Sequence, residues 1–225
     1  MALSCDAIIF DLDGVLIDSA AVIRRRWERW AEERGIPFEE IEAVHTGRPA
    51  AEVIEEVAPH LDPEAEIERL GDAMATDTDG LEAFDGAKAL LERLPGDQWA
   101  IATSGRHRTA TSRMAHVGLP TPEVLVTADD VEQGKPAPDP YQKAAAQLGS
   151  APERCVVLED APAGVESAQR AGASVIGVST SQPPDALGAA TAVVPRLNAL
   201  NIRSEGETLS VDWAGRAEGV ETTGS

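Results

Sequence analysis

Short, almost wholly apolar runs recur along this chain. They are "AIIF" (Ala7–Phe10), "WAIAT" (Trp99–Thr103), "EVLVT" (Glu123–Thr127), "CVVLE" (Cys155–Glu159), "SVIGV" (Ser174–Val178) and "AVV" (Ala192–Val194). A short run with no polar alternation reads as a strand covered on both faces, the condition of a parallel sheet. Between the later runs, residues 87–94, 108–117, 138–148 and 161–171 repeat apolar side chains at helical spacing. Pro138 stands near the first turn of one helix and Gly172 closes another. Strand–helix alternation of this kind predicts an α/β fold with a doubly wound parallel sheet.

The stretch between the first two runs has a different period. From Ser19 to about Leu81 the pattern is helical throughout, with stripes at Ile23, Trp27, Trp30 and Ala31, at Val53, Ile54, Val57 and Ala58, and at Ile67, Leu70 and Met74. An all-helical block inserted after the first strand predicts a small second domain, with "LEAFDGAK" (Leu81–Lys88) as the return hinge. The expected division is a sheet domain over 1–16 and 82–202, a helical domain over 17–81, and a tail over 203–225. In that tail "IRSEGETLSVDW" reads as a weak hairpin and "AGRAEGVETTGS" as a mobile end.

Charge limits the partners. The net charge is −20, so the surface repels nucleic acid and anionic lipid, and an anionic substrate needs a local positive site. No run approaches 18 apolar residues, and "MALSCDAII" lacks the basic start of a signal peptide. A soluble, cytoplasmic monomer or weak homo-oligomer is expected. Cys5 and Cys155 have no metal-type spacing. Counting back from the strand ends places them near each other on neighbouring strands, as free, buried thiols without a catalytic part.

Open α/β sheets bind ligands at the carboxyl ends of their strands. The first strand ends on Asp11 and Asp13, the second on Thr103 and Ser104, and the fourth on Glu159 and Asp160; Lys135 follows the third in "GKPAPDP". Taken singly, each has an ordinary reading. Two acids one residue apart are common, Lys135 suits a turn, Thr103 a strand end, and Glu159–Asp160 a helix start. Together they put four acids, one lysine and two hydroxyls at one sheet edge. Carboxylates packed that closely need a cation. Oxygen ligands without His or Cys suit Mg²⁺, which also favours phosphate oxygens. The set is suited to phosphoryl transfer.

With these residues in view, the chain resembles the haloacid dehalogenase superfamily of aspartyl-phosphate phosphatases. "DLDGVLIDS", "ATSG", "GKPAPDP" and "LEDAPAG" look like its four motifs, over about Ala7 to Leu200, and the helical block resembles its four-helix cap. The resemblance implies that Asp11 is the nucleophile and Asp13 the acid and base. It implies Mg²⁺ on the Asp11 carboxylate, the Asp13 carbonyl and Asp160, with Glu159 behind through water. Thr103 and the Ser104 amide would take phosphate oxygens, and Lys135 would bridge Asp11 and phosphate. "WAIATSG", "VTADDVEQGKPAPDPY" and "LEDAPAGV" are most similar to the glycerol phosphate, 2-deoxyglucose-6-phosphate and sugar-alcohol phosphate phosphatases. A small sugar or polyol monophosphate is the substrate this implies. In that group a cap segment His-Gly-x-Arg faces the site. Here it reads "HTGR", His45 to Arg48, with the glycine one position later, and Arg48 would set specificity unless it is a surface arginine at a helix start. Hexose-phosphate mutases of the same superfamily are an alternative, but they carry histidine at the position of Ile23. A dehalogenase would leave Asp13 without a role, and a silent binding domain would not fill every catalytic position.

Overall fold

The computed structural model describes residues 1–44 and 50–214. His45 and Arg48, and the tail beyond Ala214, lie outside the described residues. Strands β1 (Ala2–Cys5) and β2 (Ala7–Phe10) open the chain, and β3 (Ile17–Asp18) leads into helices α1 (Ala20–Arg34), α2 (Phe38–Glu42), α3 (Ala50–Val57) and α4 (Pro63–Thr76). Strand β4 (Glu82–Ala83) returns the chain and α5 (Ala87–Leu91) follows. Then come β5 (Trp99–Ala102), α6 (His107–Val117), β6 (Val124–Val126), α7 (Asp139–Gln147), β7 (Cys155–Glu159), α8 (Pro162–Ala171), β8 (Ser174–Val178) and β9 (Ala192–Val194). Strands β10 (Leu200–Glu205) and β11 (Thr208–Trp213) finish it.

Six strands form the main sheet in the order β6-β5-β2-β7-β8-β9, every neighbouring pair parallel. The chain leaves β2 in one direction toward β5 and β6, then crosses back to β7 on the other side. That reversal beside β2 opens the crevice where such sheets bind ligands. Side chains of β2 alternate between two apolar layers. Ile8 and Phe10 face the layer of Leu90, Leu91, Ala110 and Met114, whereas Ala7 and Ile9 face that of Tyr141, Ala144, Val165 and Ala168. Helices therefore cover both faces, which explains the unbroken apolar runs.

The helical block has its own core of Trp27, Trp30, Ile41, Val53, Ile54 and Leu70, with Trp27 and Trp30 edge to face at 5.6 Å between centroids. It meets the sheet through the antiparallel pair β3–β4. Helix α4 also rests on α6: Ser112 Oγ donates to the Ala75 carbonyl at 2.7 Å, Thr109 Oγ1 to the Gly71 carbonyl at 3.3 Å, and Arg108 pairs with Asp72.

Two expectations change in the structure. The segment "IRSEGETLSVDW" (Ile202–Trp213) reads from sequence as a weak hairpin, but the structure begins the hairpin at Leu200 and pairs it through β11 with β1 in a three-stranded antiparallel sheet. Its Leu209, Val211 and Trp213 lie in the main core, so burial holds the hairpin. Cys5 does not continue β2. The chain bends at Asp6, which pairs with Arg154, and Cys5 closes β1 opposite Leu209. Both thiols are free and buried, and burial together with the nearby Cys155 sulfur pushes Cys5 up to about 12.

Candidate active site

Strand register assembles the site. Phe10 lies between Ile101 and Leu158, so the next residue on β2 falls beside the ends of β5 and β7. Asp11 N–H donates to the Leu158 carbonyl at 3.0 Å and anchors the turn out of the sheet. Asp11, Asp13, Thr103, Ser104, Lys135, Glu159 and Asp160 all line one cavity of about 560 Å³. Its far wall includes Ile23, Trp27, Ala50 and Met74 of the helical block.

Lys135 is the centre of the buried polar network. Its Nζ donates to Asp11 Oδ1 at 2.7 Å, to Glu159 Oε1 at 2.7 Å and to the Ala102 carbonyl at 3.1 Å. Burial alone would lower its pKa, but the charges of Asp11 and Glu159 outweigh that and hold it well above the lysine range. Glu159 is fully engaged. Oε1 accepts from Lys135 and from Tyr141 Oη at 2.7 Å, while Oε2 accepts the N–H groups of Asp160 and Ala161 at 2.9 and 3.1 Å. A carboxylate so occupied holds Lys135 in place rather than binding a ligand of its own. A Cβ on Gly164 would lie 1.7 Å from Glu159 Oε1, so α8 approaches this carboxylate only with glycine there.

Asp160 is held from the side. Ser181 Oγ donates to its Oδ2, and Gly14, at φ +84, leaves room that any Cβ would take at 1.9 Å from the same oxygen. Thr103 Oγ1 accepts the Gly105 N–H at 3.0 Å, which leaves its O–H to donate into the cavity. Asp13 turns toward α6, where its Oδ1 accepts from Arg113 Nη1 at 2.5 Å. Sequence reading passed over Tyr141, Ser181, Gly164 and Arg113, because each matters only through a partner on another element.

The site suits a hard divalent cation. Oxygens of Asp11, Glu159 and Asp160 approach within 4.8 Å of one another, and no His or Cys joins them. Burial, with Glu159 nearby, pushes the Asp11 carboxyl up to about 7 despite Lys135. Burial and the Glu159 and Asp11 charges likewise push Asp160 well above the carboxylate range. Both groups therefore lack enough positive charge in the protein alone. With Glu159 saturated, Asp11 and Asp160 remain as the carboxylates available to a cation.

Residues 8–178 match the haloacid dehalogenase-like hydrolase family. Hexitol phosphatase A of Escherichia coli (strain K12) is 43% identical over 88% of this chain and 89% of its own. Glycerol-1-phosphate phosphohydrolase 2 of Saccharomyces cerevisiae is 33% identical over 80% and 77% of the two chains. Among solved structures, a hydrolase from Pseudomonas syringae superposes with a TM-score of 0.74 at 30% identity, over 84% of this chain and 92% of that one.

Proposed function

Because this chain belongs to the haloacid dehalogenase-like hydrolases, we propose that it cleaves a small sugar or polyol monophosphate through an aspartyl phosphate on Asp11. It is a phosphoric monoester hydrolase, as its named relatives are. The observation that carries the reading is Asp11 at the cavity floor, bonded to a buried lysine with Asp13 beside it. In the first step an Asp11 oxygen bonds to phosphorus as the bond to the leaving oxygen breaks, and Asp13 gives that oxygen its proton. In the second, Asp13 takes a proton from the water that attacks phosphorus, freeing phosphate and Asp11. Lys135 offsets the repulsion between Asp11 and the phosphoryl group. Thr103 and the Ser104 amide hold phosphoryl oxygens. Asp11, Asp160 and the Asp13 carbonyl would hold Mg²⁺, which when bound supplies positive charge against those oxygens.

The leaving group faces the helical wall, where Ile23, Trp27 and Met74 are apolar and Asp18 and Ser19 polar, with Phe84 and Gln182 of the sheet domain at the same cavity. Such a wall suits a molecule with C–H faces and hydroxyl edges. Ile23 stands where the related mutases carry histidine, which favours hydrolysis over transfer to a second hydroxyl. We assign specificity to the cap over 17–81 and to its segment His45–Arg48, whose next helical residue, Ala50, lines the cavity.

A phosphate-release screen over glycerol, hexose and hexitol phosphates with Mg²⁺ tests this. Release from at least one, lost in Asp11→Asn, is expected. No release from any of them would refute the substrate class.

A further inference from the structure

Helix α6 carries a side chain that packing does not explain. Arg113 is 2% exposed and is one of the buried residues of α6, with Ala110 and Met114. Its Nη1 donates to Asp13 Oδ1, and among the described residues its Nε and Nη2 meet no acceptor. Burying a guanidinium costs desolvation that one contact does not offset, and each unmet N–H adds to the cost. Methionine or leucine would fill similar space without it. Local rules broken in this way mark functional sites. The one partner Arg113 has is the residue to which proton transfer is assigned.

Asp13 lines the cavity and Arg113 does not, so Arg113 touches Asp13 rather than substrate. We propose that Arg113 is a positioning residue for proton transfer: it grips Oδ1 of Asp13 and so presents Oδ2 to the leaving oxygen. Asp13 lies on a loop, and an acid there loses effectiveness if its carboxyl can turn. Helix α6 is a firm base for the grip, because Thr109 and Ser112 fasten the same helix to α4. The inference rests on the reading of Asp13 as acid and base.

The leaving group separates this role from a structural one. When the bond from phosphorus to a polyol oxygen breaks, the departing alkoxide takes the Asp13 proton. A departing 4-nitrophenolate is stable without it. Single-turnover rates of leaving-group release, with enzyme in excess and Mg²⁺ present, therefore report the role directly. For Arg113→Met, release from the best polyol phosphate of the screen should fall by about 10- to 100-fold at unchanged half-saturation. Release from 4-nitrophenyl phosphate should fall by less than about threefold, since it needs no proton. Arg113→Lys should show the same contrast, reduced, and serves alone if the methionine variant does not fold. Equal losses on both substrates, or none on either, would overturn the proposal. Asp13→Asn is the control and should show a larger contrast. A flat Asp13→Asn would overturn the reading of Asp13 and this inference with it, while contrast in Asp13→Asn but not in the Arg113 variants would overturn the inference alone.

Discussion

The burial of Asp11 makes one residue serve chemistry at the expense of stability. Its carboxyl is pushed up to about 7 by burial, whereas the unfolded chain releases that proton near the ordinary carboxylate value. Between those two pH values the native state holds the extra proton. The contribution of this group to the stability of the metal-free protein is therefore fully present below the ordinary value and lost as pH rises to about 7. Asp11→Asn removes the titrating group and leaves Lys135 its bonds to Glu159 and Ala102. At pH 7.5 without metal, urea unfolding should show the variant more stable by at least about 1 kcal/mol, the advantage shrinking toward pH 4. A variant less stable than wild type at pH 7.5 would show that the carboxylate is well accommodated without a cation. Lys135 makes the opposite case. Lys135→Met leaves Asp11 and Glu159 without a counter-charge in a buried site, although Glu159 keeps its bonds to Tyr141, Asp160 and Ala161, and this costs roughly 3–5 kcal/mol by the same unfolding measurement. An unchanged midpoint would mean that solvent reaches these carboxylates.

At the scale of elements, α8 and the terminal hairpin show what holds the site in place. Gly164 lies in the first turns of α8. Alanine there would favour the helix by about 1 kcal/mol. Its Cβ, however, would stand 1.7 Å from Glu159 Oε1. Overpacking of that kind costs about 1–3 kcal/mol, so the clash wins and Gly164→Ala should be destabilised on thermal unfolding. A raised melting temperature would place Glu159 elsewhere. The main sheet was legible in the sequence because strands buried on both faces leave unbroken apolar runs, and Ala7–Phe10, Cys155–Glu159 and Ser174–Val178 fall where those runs do. Strand β1 was not, because its four residues include Ser4 and its partner β11 lies some 200 residues away. The strand-end residues were legible because position along a parallel strand decides them. Arg113 was not, since nothing near "TATSRMAHV" names Asp13 as its partner. Deleting the chain from Leu200 would strip Ile202, Leu209, Val211 and Trp213 from the core. At about 1.5–3 kcal/mol each, that approaches or exceeds the whole stability of a typical domain. The truncated chain should not yield a folded monomer, and a soluble, cooperatively melting product would assign the hairpin a marginal role.

For the molecule as a whole, charge and site have to be reconciled. The chain carries a net −20 and works, in the reading proposed here, on an anion. Among the described residues lining the cavity, Asp11, Asp13, Asp18, Glu159 and Asp160 face Lys135 as the single cationic side chain. Inorganic phosphate should therefore bind measurably by calorimetry only when Mg²⁺ is present; equal affinity without metal would show that the protein alone overcomes the repulsion. Among the described residues no helix is long and apolar enough to cross a membrane. The covalent role of Asp11 is the claim on which the rest depends, and it can be read chemically. Enzyme quenched in acid during turnover and treated with borohydride should carry homoserine at position 11, formed by reduction of an aspartyl phosphate, and only when substrate was present. Reduction at another aspartate, or none while phosphate is being released, would contradict it.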